Sequence, residues 1–153
     1  MKAIEVNGTI KTYNSVPKTW GNSLGVQYSS DSDLEALGFY DVVTPTTKES
    51  QELGAIEWDA DNSVFTYPVV NKTFVLTVAE MKAQKIANLK HSYGSELAKT
   101  DWLIIRAQEG TAAPQSTLDA RAALRTECAS KEAEINALST KAQIADYQLP
   151  SFI

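Results

Sequence analysis

Near the start of the chain two short segments of strand-like character, Lys2 to Val6 and Thr9 to Tyr13, flank Asn7-Gly8. That pair accepts the positive φ angles of a type I′ turn, so the pattern predicts a β-hairpin. Ser30-Asp31-Ser32-Asp33 then offers N-cap side chains and early negative charge for a short helix over Leu34 to Leu37. Gly38 is placed to end it in a left-handed conformation. The mostly apolar run Phe39 to Val43 predicts a strand leading into a loop around Pro45. A second hairpin is expected from Leu53 to Trp58 and Val64 to Val70, joined across residues 59–63, whose Asp and Asn side chains bond their own backbone. Pro68 has no N–H to give a ladder, which confines the second strand to an edge or ends it.

Past residue 77 the period lengthens. Ile86, Leu89 or Lys90, Tyr93 and Leu97 recur at helical spacing. The stripe either continues through Gly94 as one kinked helix or gives way to a fresh helix capped by Thr100-Asp101, with Trp102, Ile105 and Glu109 on one face. Gly110 to Ser116, with Pro114, predicts a turn, and Ser116 or Thr117 is placed to cap a long helix from Leu118 to about Ile144. Its apolar seam (Leu124, Cys128, Ile135, Leu138, Ala142, Ala145) follows a heptad loosely, with Lys131 in one core slot. The apolar tail from Tyr147 to Ile153 is expected to dock on its own domain or on a partner.

Composition sharpens this division. Nine of thirteen aromatic residues fall in the first 76 positions, while alanine divides 4 to 15 in favour of the remainder. Aromatic residues suit a pleated surface and alanine suits close helix packing. The expectation is therefore an α+β protein, with a β-rich N-terminal region (1–76) of hairpins and a short helix, followed by an α-helical C-terminal region (77–153) containing a helical hairpin. Charge divides as well: 5 Lys/Arg stand against 10 Asp/Glu in the first part and 9 against 9 in the second. The net charge of −5 argues against a nucleic-acid module, which needs a basic face for phosphates, and against a polybasic membrane anchor. With no apolar run of membrane-spanning length and no signal-peptide pattern, the chain is expected in the cytoplasm when made.

Candidate chemistry is sparse. One histidine, His91, and one cysteine, Cys128, fall short of the usual metal-ligand sets, and neither a disulfide nor a cofactor is expected. No G-x-S-x-G turn presents a nucleophile. Asp59-x-Asp61-x-Ser63 opens like a calcium loop, but Val64 stands where glycine is needed, so a hairpin turn explains the acids better. Glu52, Glu57 and Asp59 are the residues a small hydrolase would have to use. Phe39, Tyr40, Trp58, Phe65 and Tyr67 form either the core of the β-rich part or, if exposed, a binding patch.

Ala98-Lys99-Thr100-Asp101-Trp102, then Ile105-Arg106, Glu109-Gly110, Pro114 and Arg121-Ala122-Ala123-Leu124-Arg125, resembles a segment near the C-terminus of small tailed-bacteriophage and prophage proteins described as tail-fibre assembly or tail-associated. Leu37-Gly38-Phe39-Tyr40, Leu53-Gly54 and Phe65 to Val70 are similar to the front end of the same family, and the likeness covers residues 34–128. The resemblance implies a non-enzymatic tail protein working by protein–protein binding, as an assembly chaperone or fibre-associated component. Its partners would be tail-fibre or other tail proteins, in the host cytoplasm during assembly or in the virion. Trp102, Ile105, Arg106, Arg121 and Arg125 are the expected partner-binding residues. The apolar ones are expected to face Leu118 and Leu124 across the helical hairpin, and the arginines either to pair with Glu109, Asp119 or Glu127 at the surface or to contact a partner's carboxylates. The alanine-rich extension after Arg125 leaves open a minor virion protein oligomerised through its last helix.

Overall fold

The computed structural model describes residues 1–152 and is α+β, with strands in the N-terminal part and helices in the C-terminal part. The chain divides into two compact units, Met1–Lys72 and Thr73–Ile153.

In the first unit, β1 (Lys2–Val6) and β2 (Thr9–Tyr13) pair antiparallel, with Val6 opposite Thr9. Asn7 and Gly8 lie at φ 53° and 76°, as a type I′ turn demands. A smaller hairpin, β3 (Thr19–Trp20) and β4 (Ser23–Leu24), turns at Gly21-Asn22, and a 3₁₀ turn (Val26–Tyr28) follows. The short helix α1 (Asp31–Ala36) opens on a capping box: the Asp33 amide donates to the Ser30 hydroxyl and the Ser30 amide donates to the Asp33 carboxylate. Gly38, at φ 89°, turns the chain into β5 (Tyr40–Val43). Ile4, Val26, Leu34 and Phe39 form the core, flanked by Tyr13 and Trp20, whose rings meet Phe39 edge-on at 5.8 and 5.0 Å.

The expected second hairpin exists but is divided. Its inner part, β7 (Glu57–Asp59) with β8 (Val64–Thr66), joins a five-stranded sheet of order β2-β1-β5-β8-β7. Its outer part, β6 (Gln51–Leu53) with β9 (Val69–Asn71), forms a separate ladder. Pro68 marks the division, because it cannot donate a ladder bond; the Gly54 amide donates to its carbonyl at 2.8 Å. β8 pairs parallel with β5, Val42 beside Phe65, a long-range pairing that no local turn signal announces.

In the second unit, α2 (Val78–Ala98) opens on a Thr77/Glu80 capping box and runs straight through Gly94 as one helix. The chain breaks instead at Lys99-Thr100, and α3 (Asp101–Gln108) is a separate helix. Thr100 does not cap it: its hydroxyl donates backward to the Leu97 carbonyl. After Gly110, at φ 99°, α4 (Gln115–Ala137) begins directly behind Pro114, so Ser116 and Thr117 lie inside its first turn and neither is its cap.

The long helix stops at Ala137 and not near Ile144, because Thr140 and Gln143 form a third capping box that starts α5 (Lys141–Asp146). The helical hairpin is α2 against α4, not α3 against α4. Lys82 reaches the Asn136 carbonyl, Lys90 pairs with Glu132 and Arg121 reaches the Leu97 carbonyl, which fixes the two helices as antiparallel. Leu89, Tyr93 and Ile135 are the buried core, with Ile86, Leu124 and Cys128 packed around it. The seam proposed for oligomerisation is thus largely filled by α2 of the same chain. The tail docks on its own unit: Tyr147, Leu149 and Phe152 cover this core, and Phe152 meets Tyr93 edge-on at 4.9 Å. Ile153 lies outside the described residues.

Three lysines bind main-chain carbonyls in this unit. Lys82 and Lys85, one turn apart on α2, donate to the carbonyls of Asn136 at the end of α4 and Ala145 at the end of α5, and Lys141 donates to that of Phe74. The last carbonyls of a helix have no partner within it, so the ammonium groups of Lys82 and Lys85 supply one.

Candidate functional site

α3 is short, and none of its residues is buried. Trp102 and Ile105, three positions apart and therefore on one face, are 56% and 61% exposed. The Arg106 guanidinium lies over the Trp102 ring, 5.3 Å from its centroid, where cation–π attraction holds the two side chains together. Leu118, on the first turn of α4, is exposed too. The expected pairing of Trp102 and Ile105 against Leu118 and Leu124 therefore fails: Leu124 turns toward α2, while the two α3 residues stay in solvent. Eight residues give α3 one turn of stripe on each side, too little to displace the longer α2 from α4.

Arg121 holds this exposed helix in position. Only 7% exposed, it donates at 2.6 Å to the Leu97 carbonyl, at 2.6 Å to the Thr100 hydroxyl and at 2.7 Å to an Asp101 carboxylate oxygen. Those acceptors belong to the end of α2, the break and the first residue of α3, so one side chain of α4 fixes all three. Asp101 also lies where the positive end of the α3 dipole favours a carboxylate. A shallow cleft of about 320 Å³ beside this clamp is walled by Glu96, Lys99, Thr117, Ala120 and Leu124.

The five candidate residues thus separate. Trp102, Ile105 and Arg106 form an exposed patch, Arg121 is a buried clamp, and Arg125 is exposed one turn further along α4. The expected arginine pairings are not the ones formed: Arg121 takes Asp101, Arg106 lies on Trp102, and Asp119 accepts from the Gln115 amide. The special role of Arg121 has no local signature, because its three partners lie 20 to 24 positions away.

The hydrolase candidates take up structural places. One oxygen of Asp59 accepts the main-chain amides of Asp61 and Asn62 and the other accepts the Asn62 side chain. These bonds, the Asn62 side chain first, hold the Asp59 carboxyl below its usual pKa. Glu52 is on β6 in the separate ladder and Glu57 begins β7. His91 is exposed on α2, and Cys128 lies half-buried at the edge of the helical core. Among the described residues no cluster of His, Cys, Asp and Glu could hold a metal ion, and no helix is long and apolar enough to cross a membrane. No protein-family model, curated protein or solved structure matches this chain.

Proposed function

We propose that this protein is a non-enzymatic bacteriophage tail-associated factor that binds another tail protein through α3, as a tail-fibre assembly chaperone or fibre-associated component. The observation that carries the reading is the pair Trp102 and Ile105, left in solvent on a helix that a buried arginine fixes in place. An exposed tryptophan on a fixed support is the residue type that most often dominates a protein interface. Fixing it in advance lowers the ordering cost of association. The segment that resembles the tail-associated family, Ala98 to Arg125, is the one that builds this patch and its clamp. On this reading α3 lays its apolar face into a groove of the partner, Arg106 and Arg125 meet carboxylates at the rim, and apolar fibre surface stays covered until the fibre assembles.

The test is co-expression with the tail-fibre protein of the same phage, followed by affinity capture. Trp102→Ser with Ile105→Ser is expected to weaken capture about tenfold or more, as a central hot spot does, while leaving the helical circular dichroism unchanged. Wild-type capture by this double variant would refute the reading. Mass spectrometry of purified particles separates the two forms of the proposal, since a fibre-associated component persists in virions and a chaperone is left behind. A minor tail or baseplate protein oligomerised through its last helix is the second reading; Leu124, Cys128 and Ile135 already face α2, which gives it less support.

A further inference from the structure

The first unit carries an aromatic groove beside the cluster of Ile4, Val26, Leu34 and Phe39, and Ile4 borders both. Val42 stands beside Phe65 and Phe65 opposite Trp58, so Tyr40, Phe65 and Trp58 share one face of the sheet across β5, β8 and β7. Their rings meet edge to face, Tyr40 to Trp58 at 4.6 Å and Trp58 to Phe65 at 5.0 Å. Phe65 is buried, Trp58 is 39% exposed, and the concavity beside them, about 300 Å³, is bordered by Leu37 and by Glu5 of β1.

We propose that this groove docks a segment of a partner protein by receiving a lysine or arginine side chain. Aromatic faces attract a cation, and a carboxylate at the rim adds a charge of the right sign. Glu5 supplies that carboxylate, and the unit around it holds 10 acidic residues against 5 basic ones. The rings have no cation of their own: among the described residues the one arginine or lysine over an aromatic ring is Arg106, on Trp102. The occupant is read as a basic segment of a protein, whose side chain would lay its apolar stem on the rings and carry its charge toward Glu5. This inference is independent of the patch on α3.

The test is isothermal titration of the full chain with a blocked peptide of alternating glycine and arginine, with the same peptide carrying neutral citrulline for arginine, and with maltohexaose. The arginine peptide is expected to bind about fivefold or more tightly than the citrulline peptide. Trp58→Leu should abolish that preference, Trp58→Phe should keep most of it, and Glu5→Gln, at an exposed position that leaves the fold intact, should reduce it and flatten its salt dependence. Absence of binding by the arginine peptide, equal binding of the citrulline peptide, tighter binding of the sugar, or an unchanged preference in both Trp58→Leu and Glu5→Gln would each overturn the proposal.

Discussion

Replacing Arg121 by methionine keeps most of the apolar stem and removes every donor from the clamp. Three charge-assisted hydrogen bonds disappear, those to Leu97, Thr100 and Asp101. A bond to a charged group is worth about 1.5–3 kcal/mol, which sets an upper range of several kcal/mol for the three together. Two features reduce it. The Leu97 carbonyl keeps the Thr100 amide and hydroxyl as donors, and the Asp101 side chain, 53% exposed, is rehydrated by solvent. Methionine also avoids the desolvation of a guanidinium that is buried in the native state, so the net expectation is about 2–4 kcal/mol of destabilisation. Urea denaturation followed by the helical circular dichroism band reads chiefly the second unit, since α2 to α5 lie there and the first unit holds only the short α1. Asp101→Asn, which keeps an acceptor and leaves two of the bonds intact, should cost less than about 1 kcal/mol, as exposed pairs do. A loss under about 1 kcal/mol for Arg121→Met, or a gain, would refute the clamp. The emission of Trp102, next to Asp101, should also shift to longer wavelength in the variant as α3 loosens.

The remaining expectations concern the same unit. Ile135→Ala opens a void against Leu89 and Tyr93 and should cost about 2–5 kcal/mol in the same urea titration. Thr140→Ala removes the cap of α5 and should cost about 0.5–2 kcal/mol, with faster amide exchange confined to α5 and the tail. Burial, joined by nearby carboxylates, pushes the phenols of Tyr93 and Tyr147 up to about 12 from an ordinary value of 10.0. Because the folded-state values are raised, their contribution to stability is fully present below pH 10 and is lost as pH rises toward 12. Phenolate absorbance should therefore appear late and together with loss of the helical signal; early titration of both tyrosines in a folded protein would contradict their burial. At acid pH the sign reverses for Glu134, whose carboxyl is held below its usual value by the Tyr147 hydroxyl and then by Lys131. Its contribution is present above the ordinary value of 4.5 and fades as pH falls through the lowered one, so Tyr147→Phe should make the unit less sensitive to acid.

What could be read from residue order was what residue neighbours decide. Asn7-Gly8 dictates its turn through backbone angles alone, and Ser30 and Asp33 satisfy each other within one turn of helix. Thr140 and Gln143 carry the same local signature, but the weak heptad of Leu138, Ala142 and Ala145 pointed to a continuous helix and concealed it. The capping bonds outweigh a seam in which Ala142 faces solvent. Where partners are far apart, residue order was silent: the parallel pairing of β5 with β8, the choice of α2 over α3 as the companion of α4, and the burial of Arg121 are all decided by packing. Of the candidate site, the exposed residues were visible as an apolar stripe with adjacent arginines, whereas the part that fixes them in place was not.

The lysines that reach main-chain carbonyls have a chemical consequence. An amine engaged with a carbonyl at 2.7 to 3.1 Å, as in Lys82, Lys85 and Lys141, is a poorer nucleophile than one held only in an exposed ion pair, as in Lys90 and Lys99. Acylating reagents should therefore reach the lysines of the second unit in an order set by tertiary structure, with Lys82, Lys85 and Lys141 slowest. Once modified, Lys82 and Lys85 each leave a helix terminus without its donor, so the chain would record in its own labelling pattern how often α4 and α5 release their ends.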